Sequence, residues 1–334
     1  MSSRPLSHEA LLEAADALVP LFREKAREAE LARRSPDDVI EAVKASGLYS
    51  MMVPRRFGGH EADVDTFFEV VLRLGRADAS LAWLTAFYIE HNHWALGFEE
   101  HVLEKLFADE PFVLAPVSLN AAGGGAERVD GGFRLNGQWS WGTCIVHGDW
   151  VMPVGIVAGE APQLFLLPKS EVELIDTWFV SGMCGTGSLD YRIDDVFVPE
   201  DHAVPMTLFF GEPGKSPLRY DAPIFQTPLG PILAFAAGLP LLGAAQGGQL
   251  LRDTCWTGPA PHARYCGCPG LVWEGSDVHP AYLSSLLQLI QEQVQADVGS
   301  SPASGCQEAQ AAHEILTIQT TAQKHPLHFE ILSV

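Results

Sequence analysis

Basic residues are scarce in this chain: 21 Lys and Arg stand against 42 Asp and Glu in 334 residues, a formal net charge of −21. A field of that sign repels nucleic-acid phosphates and anionic lipid surfaces, so neither is expected as a partner. Long apolar runs are missing too. No stretch of about 18 apolar residues occurs, so no membrane span is expected. The polar start from Met1 to Leu11 lacks the apolar centre of a signal peptide. Cysteine is sparse, with six irregularly spaced residues, which points to a reduced, cytoplasmic setting rather than a disulfide frame. Also absent are GxGxxG between a strand and a helix, GxxxxGK followed by Ser or Thr, HExxH and GxSxG. Their absence removes the usual dinucleotide, phosphate-loop, zinc-protease and serine-hydrolase readings. Cys266-Gly267-Cys268 has no second Cys/His pair at suitable spacing, so no metal site is expected.

What is present is a folded protein with a sizeable core: 47% of residues are hydrophobic and 19% charged. Leu11, Leu12, Ala15, Leu18, Val19 and Phe22 fall at helical spacing. Ser35-Pro36-Asp37-Asp38 reads as a helix start with Ser35 as cap, and Gly47 as its stop. Helical patterns resume over 65–74 and 79–96. From Pro111 the character changes. Stretches 112–119, 132–135, 150–157, 164–167 and 191–198 are short, apolar or alternating, and bounded by turn residues, so they read as strands. Asp130-Gly131-Gly132 is a hairpin signal. Gly123-Gly124-Gly125 precedes a strand-like stretch and not a helix, so a flexible hairpin or bulge is expected there. A helical pattern returns over 229–251 and again over 283–294. The order is α+β: an N-terminal helical domain over 1–110, a middle β-barrel or sandwich domain over 111–222, and a C-terminal helical region over 223–334.

Two segments carry the chemistry: Leu135-Asn136-Gly137-Gln138-Trp139-Ser140-Trp141-Gly142-Thr143, and Gly182 to Asp190 running into Asp195-Val196-Phe197-Val198-Pro199. Both resemble the acyl-CoA dehydrogenase superfamily of flavoproteins, whose middle domain carries L-N-G-x-x-x-W-I-T, a Gly/Ser-rich strand entry and a D-V-x-V-P exit. Val53-Pro54-Arg55-Arg56-Phe57-Gly58-Gly59 resembles the same family's first-domain turn. The resemblance covers about residues 10–250. It implies a flavin, FAD or FMN, held by Trp139, Trp141, Gly142 and Thr143, with Thr143 near the flavin N5. A strand of this kind offers an indole wall and a hydroxyl or amide to the flavin edge. The residues alone also allow Trp139 and Trp141 as half-buried strand aromatics, and Ser188 either as a ligand contact or as a turn hydroxyl bonding its own backbone.

The branch of the family is set by departures. The T-E-P-x-x-G-S-D stretch of the dehydrogenases is replaced by Ala115-Pro116-Val117-Ser118-Leu119-Asn120-Ala121-Ala122-Gly123. His91-Asn92-His93-Trp94-Ala95-Leu96 is similar to a segment of the two-component flavin monooxygenases on this fold, which take reduced flavin from a separate reductase. That resemblance implies a monooxygenase using reduced flavin and dioxygen on a small organic substrate, with His93, or His91, as acid/base or hydrogen-bond donor. A His on a buried helix beside Trp also serves simply as core. The alternatives are an FAD-dependent acyl-CoA dehydrogenase-like enzyme, which needs a carboxylate base after residue 240 where Glu292, Glu308 and Glu314 are unplaced, and a non-catalytic remnant. The family implies a homotetramer or homodimer. Past about Arg252 the resemblance ends. Four cysteines (Cys255, Cys266, Cys268, Cys306) and only three basic residues (Arg252, Arg264, Lys324) follow Gln249, so an atypical or truncated third domain is expected.

Overall fold

The computed structural model describes residues 5–209 and 218–255. Five helices come first: α1 (His8–Ala32), α2 (Asp37–Ser46), α3 (Val64–Gly75), α4 (Ala79–Ala95) and α5 (Glu100–Leu106). Their starts follow from side-chain caps. Ser7, Asp63 and Asp78 accept the amides of Ala10, Thr66 and Leu81, using the free donors of α1, α3 and α4. At α2 the expected cap is corrected. Pro36 occupies the cap position, and the Ser35 hydroxyl donates to the Pro36 carbonyl instead of accepting an amide. Asp37 and Asp38 still favour the positive helix end, and Gly47 closes it in left-handed backbone. α4 is apolar around most of its circumference and buried from Tyr88 to Ala95, which makes it the central helix of the first domain.

Among the described residues nine strands follow: β1 (Val117–Ser118), β2 (Gly124–Val129), β3 (Gly132–Gly142), β4 (Trp150–Val157), β5 (Gln163–Phe165), β6 (Leu167–Pro168), β7 (Glu173–Ile175), β8 (Leu189–Pro199) and β9 (Ala203–Pro205). The pairing path runs β7-β8-β3-β2-β4-β5-β9, with β1 and β6 also on β4. The sheet is mixed, because β2 and β1 both run parallel to β4. Phe133, Leu135, Trp139, Phe165, Tyr191 and Ile193 form the centre of its core.

The strand expected over 112–119 shrinks to two paired residues, and β2, β7 and β9 lack the apolar alternation that would reveal them. The Gly123–Gly125 run is not a flexible hairpin. Gly123 ends a 3-10 turn and Gly124 opens β2, where a Cβ on Gly124 would lie 2.2 Å from the Trp139 indole. Glycine here makes room for a buried ring.

The last described element is α6 (Leu229–Cys255). It crosses α3 closely: a Cβ on Gly243 would stand 2.6 Å from the Leu72 carbonyl oxygen and 2.8 Å from the Gly75 Cα. The helix expected over 283–294, Cys266, Cys268, Cys306, Glu292, Glu308 and Glu314 lie outside the described residues. Among the described residues, no helix is long and apolar enough to cross a membrane.

Candidate functional site

The end of β3 departs from a regular strand. Its register against β8 shifts between Trp139 and Gly142, and Trp141 takes a left-handed backbone, φ +64°. In a regular strand residues 139 and 141 would share a face. The bulge separates them. Trp139 is 0% exposed, donates from Nε1 to the Val154 carbonyl at 2.7 Å, and stacks 5.9 Å from Tyr191 at 13°. It is a core residue with its N–H satisfied, as the strand-aromatic reading of the sequence has it. Trp141 is 65% exposed, and its amide donates to Asp190 Oδ1 at 3.4 Å. Gly142 is buried between Tyr191 and Ile145.

Directly beyond Gly142 the chain presents a hydroxyl. Thr143 Oγ1 lies 3.0 Å from Ser188 Oγ, which lies 2.8 Å from Thr186 Oγ1. Thr186 Oγ1 donates to the Met183 carbonyl at 2.9 Å. Ser188 and Thr186 are almost fully buried, and Thr143 is 8% exposed. The backbone around them is strained. Cys144 and Met183 join Trp141 with positive φ, at +64° and +58°, and Gly187 sits at +56°. Such residues persist only where the surroundings over-determine them, and they concentrate at functional sites.

Several ties fix this turn. The Cys144 amide donates to the Thr186 carbonyl at 3.0 Å. His147 Nε2 donates to the Ser35 carbonyl at 2.9 Å, joining the region to the α1–α2 connection. Arg33, just after α1, makes two 2.7 Å bonds to Asp176, a 3.2 Å bond to the Trp178 carbonyl, and lies 4.1 Å over the Phe179 ring. Trp178 Nε1 in turn donates to the Cys184 carbonyl at 3.1 Å. These anchors were not found from sequence, because all but the Trp178–Cys184 bond pair residues far apart in the chain.

α4 supplies the other groups. Trp83 and Phe87 stack at 4.7 Å, and Phe87 meets His91 edge-on at 5.5 Å. They recur every four residues, so they make one stripe. Burial pushes the His91 imidazole down to about 3, opposed by a backbone hydrogen bond at Ala115. His93, two residues on, packs 5.9 Å from the Phe225 ring, and burial pushes it down to about 4. The two histidines thus serve different surroundings. Between Ile89 and His91, the fully buried Glu90 accepts from Trp94 Nε1 at 2.7 Å, and burial raises it to about 8. Asn92 is wholly structural: its amide donates to the Tyr88 and Tyr49 carbonyls and accepts from the Val113 amide. Among the described residues no group of three His, Cys, Asp or Glu is arranged to hold a metal ion.

Residues 7–96 fit the family model for the acyl-CoA dehydrogenase N-terminal domain. The chain is 33% identical over 241 residues to a pigment production hydroxylase of Rhodococcus, covering 71% of this chain and 62% of that protein. It is 31% identical over 236 residues to the oxygenase subunit HsaA of a flavin-dependent monooxygenase from Rhodococcus jostii, covering 70% and 62%. Among solved structures it resembles XiaF from Streptomyces in complex with FADH2 and glycerol, with a TM-score of 0.71, 27% identity, and coverage of 87% and 73%. It also resembles a 3-HSA hydroxylase from Rhodococcus, with a TM-score of 0.70, 28% identity, and coverage of 75% and 66%. The chain spans about three fifths of the length of the curated relatives it matches.

Proposed function

We propose, from the premise that this chain is a member of the acyl-CoA dehydrogenase superfamily, that it acts as the oxygenase component of a two-component flavin-dependent monooxygenase on a small aromatic substrate. The observation that carries this reading is the strained strand end: an exposed Trp141 two residues before Thr143, whose hydroxyl heads a line of hydroxyls that runs through Ser188 to Thr186. That pair of side chains fits an isoalloxazine, which needs a flat apolar neighbour and a polar contact at its edge. A reduced FAD or FMN bound there, delivered by a separate reductase, would supply the electrons that activate dioxygen.

The protein's own residues do the rest. Trp141 covers the ring, Thr143 fixes its edge, and the Arg33–Asp176 clamp holds the loop leading to Thr186. Trp83 and Phe87 offer an aromatic surface that ends at His91. We assign His91, and not His93, as the group that holds the polar end of the substrate. His91 closes that half-exposed stripe, whereas His93 faces Phe225. Burial keeps the His91 ring neutral at physiological pH, so it can accept a hydrogen bond from a substrate hydroxyl.

Stopped-flow absorbance tests the reading. The protein is loaded anaerobically with reduced FAD or FMN and mixed with oxygenated buffer. Reoxidation that is slower than that of free reduced flavin, and proceeds in more than one phase, is expected. Reoxidation at the free-flavin rate would overturn the reading.

A further inference from the structure

The three hydroxyls at the strand end have a forced polarity. A hydroxyl has one proton to donate and two lone pairs to accept with. The Met183 carbonyl can only accept, so the Thr186 proton goes to it. Thr186 then has only lone pairs for Ser188, so across their 2.8 Å contact Ser188 must donate. With the Ser188 proton spent, the 3.0 Å contact to Thr143 requires Thr143 to donate to Ser188. Any other arrangement sets lone pairs against each other in a nearly dry site, where burial makes an unmade bond costly. The proton of Thr143 therefore points inward, and the outward side of Thr143 Oγ1 is an acceptor.

We propose that this one-way chain, Thr143 to Ser188 to Thr186 to the Met183 carbonyl, makes Thr143 select the reduced state of the flavin. Reduced flavin carries a hydrogen on N5 and donates there. Oxidised flavin has a lone pair on N5 and needs a donor. A Thr143 oxygen that only accepts pairs with the first and opposes the second. Ser188 and Thr186 are thus specificity-determining positioning residues, acting on the cofactor through Thr143. The fixed peptide of Met183, in left-handed backbone, sets the direction of the whole chain. This inference rests on the flavin reading of the site and on Thr143 meeting N5.

The test is equilibrium binding of reduced and oxidised FAD and FMN to the full chain by anaerobic ultrafiltration, with the ratio of the two affinities as readout. Wild type is expected to bind the reduced form more tightly. Thr186→Val releases the Ser188 proton toward Thr143, and Ser188→Ala removes the acceptor for the Thr143 proton. Either change frees Thr143 to donate outward, so the ratio should fall by roughly five- to tenfold. A tenfold fall lowers the midpoint potential of the bound flavin by about 30 mV for a two-electron couple. Thr186→Ser restores the chain and should restore the ratio, which a merely structural role would not require. An unchanged ratio in both Thr186→Val and Ser188→Ala would overturn the polarity assignment and leave the flavin site standing. If wild type binds neither oxidation state, the flavin reading falls and this inference with it.

Discussion

The phenolic hydroxyl of Tyr88, in the middle of α4, donates to the carbonyl of Cys144, the residue directly after Thr143. This bond joins the central helix of the first domain to the strand end of the second. Tyr88→Phe keeps the ring and leaves a buried carbonyl without its donor. The expected loss of stability is about 1–3 kcal/mol, read by chemical denaturation, with weaker reduced-flavin binding in the same variant. No change in either quantity would mean that α4 does not hold the strand end.

The two tryptophans of β3 should separate stability from binding. Trp139→Ala opens a cavity in the sheet core and should cost about 3–5 kcal/mol. Trp141→Ala removes an exposed ring and should shift stability by no more than about 0.5 kcal/mol. Its reduced-flavin affinity should nonetheless fall by roughly three- to tenfold. Thermal melts and ultrafiltration on both variants decide it, and equal behaviour of the two would contradict the bulge geometry.

His91 and His93 differ in what they face, and function should follow that difference. Product formed per flavin oxidised, measured with simple phenols, should drop about tenfold in His91→Ala, with the shortfall appearing as hydrogen peroxide. His93→Leu, which keeps the contact with Phe225, should stay within about twofold of wild type. The reverse pattern would move the assignment to His93.

Glu90 makes stability depend on pH. Burial raises its folded pKa to about 8, against an unfolded value near 4.3. Between those values the unfolded chain has shed a proton that the folded chain keeps, so stability falls as pH rises. The contribution is complete below about pH 4 and gone above about pH 8. Glu90→Gln keeps an oxygen for the Trp94 indole and removes this slope. The stability gap between variant and wild type should widen by several kcal/mol from pH 5 to pH 8. His91 and His93, displaced downward to about 3 and about 4, act in the opposite sense, losing stability as pH falls below about 6.5. Parallel profiles for wild type and Glu90→Gln would show that Glu90 is not held protonated.

Much of this was legible in the sequence because local rules decide it. The α4 helix, the α6 helix and the β4 strand announce themselves by apolar spacing, and Gly47 marks a helix end. The motif around Thr143 and Ser188 also pointed to the residues that the fold brings within 3.0 Å of each other. What stayed hidden needs the third dimension. Trp139 and Trp141 look equivalent at a spacing of two, and only the register shift against β8 sends one inward and the other out. Thr186 and Tyr88 gain their importance from partners that sequence spacing does not reveal. β2 shows no apolar alternation, and its first residue, Gly124, yields space to the Trp139 ring on β3.

The left-handed backbone at Trp141, Cys144 and Met183 sets thermal robustness against precision. Each such residue costs roughly 1 kcal/mol or more relative to glycine, which adopts that conformation freely. A directed-evolution screen rewarding heat resistance alone would therefore accumulate glycine at 144 and 183. It would enrich sturdier proteins whose hydroxyl chain has lost its fixed end, and whose cofactor discrimination has blurred. Breeding a useful biocatalyst from this scaffold calls for selecting both traits together.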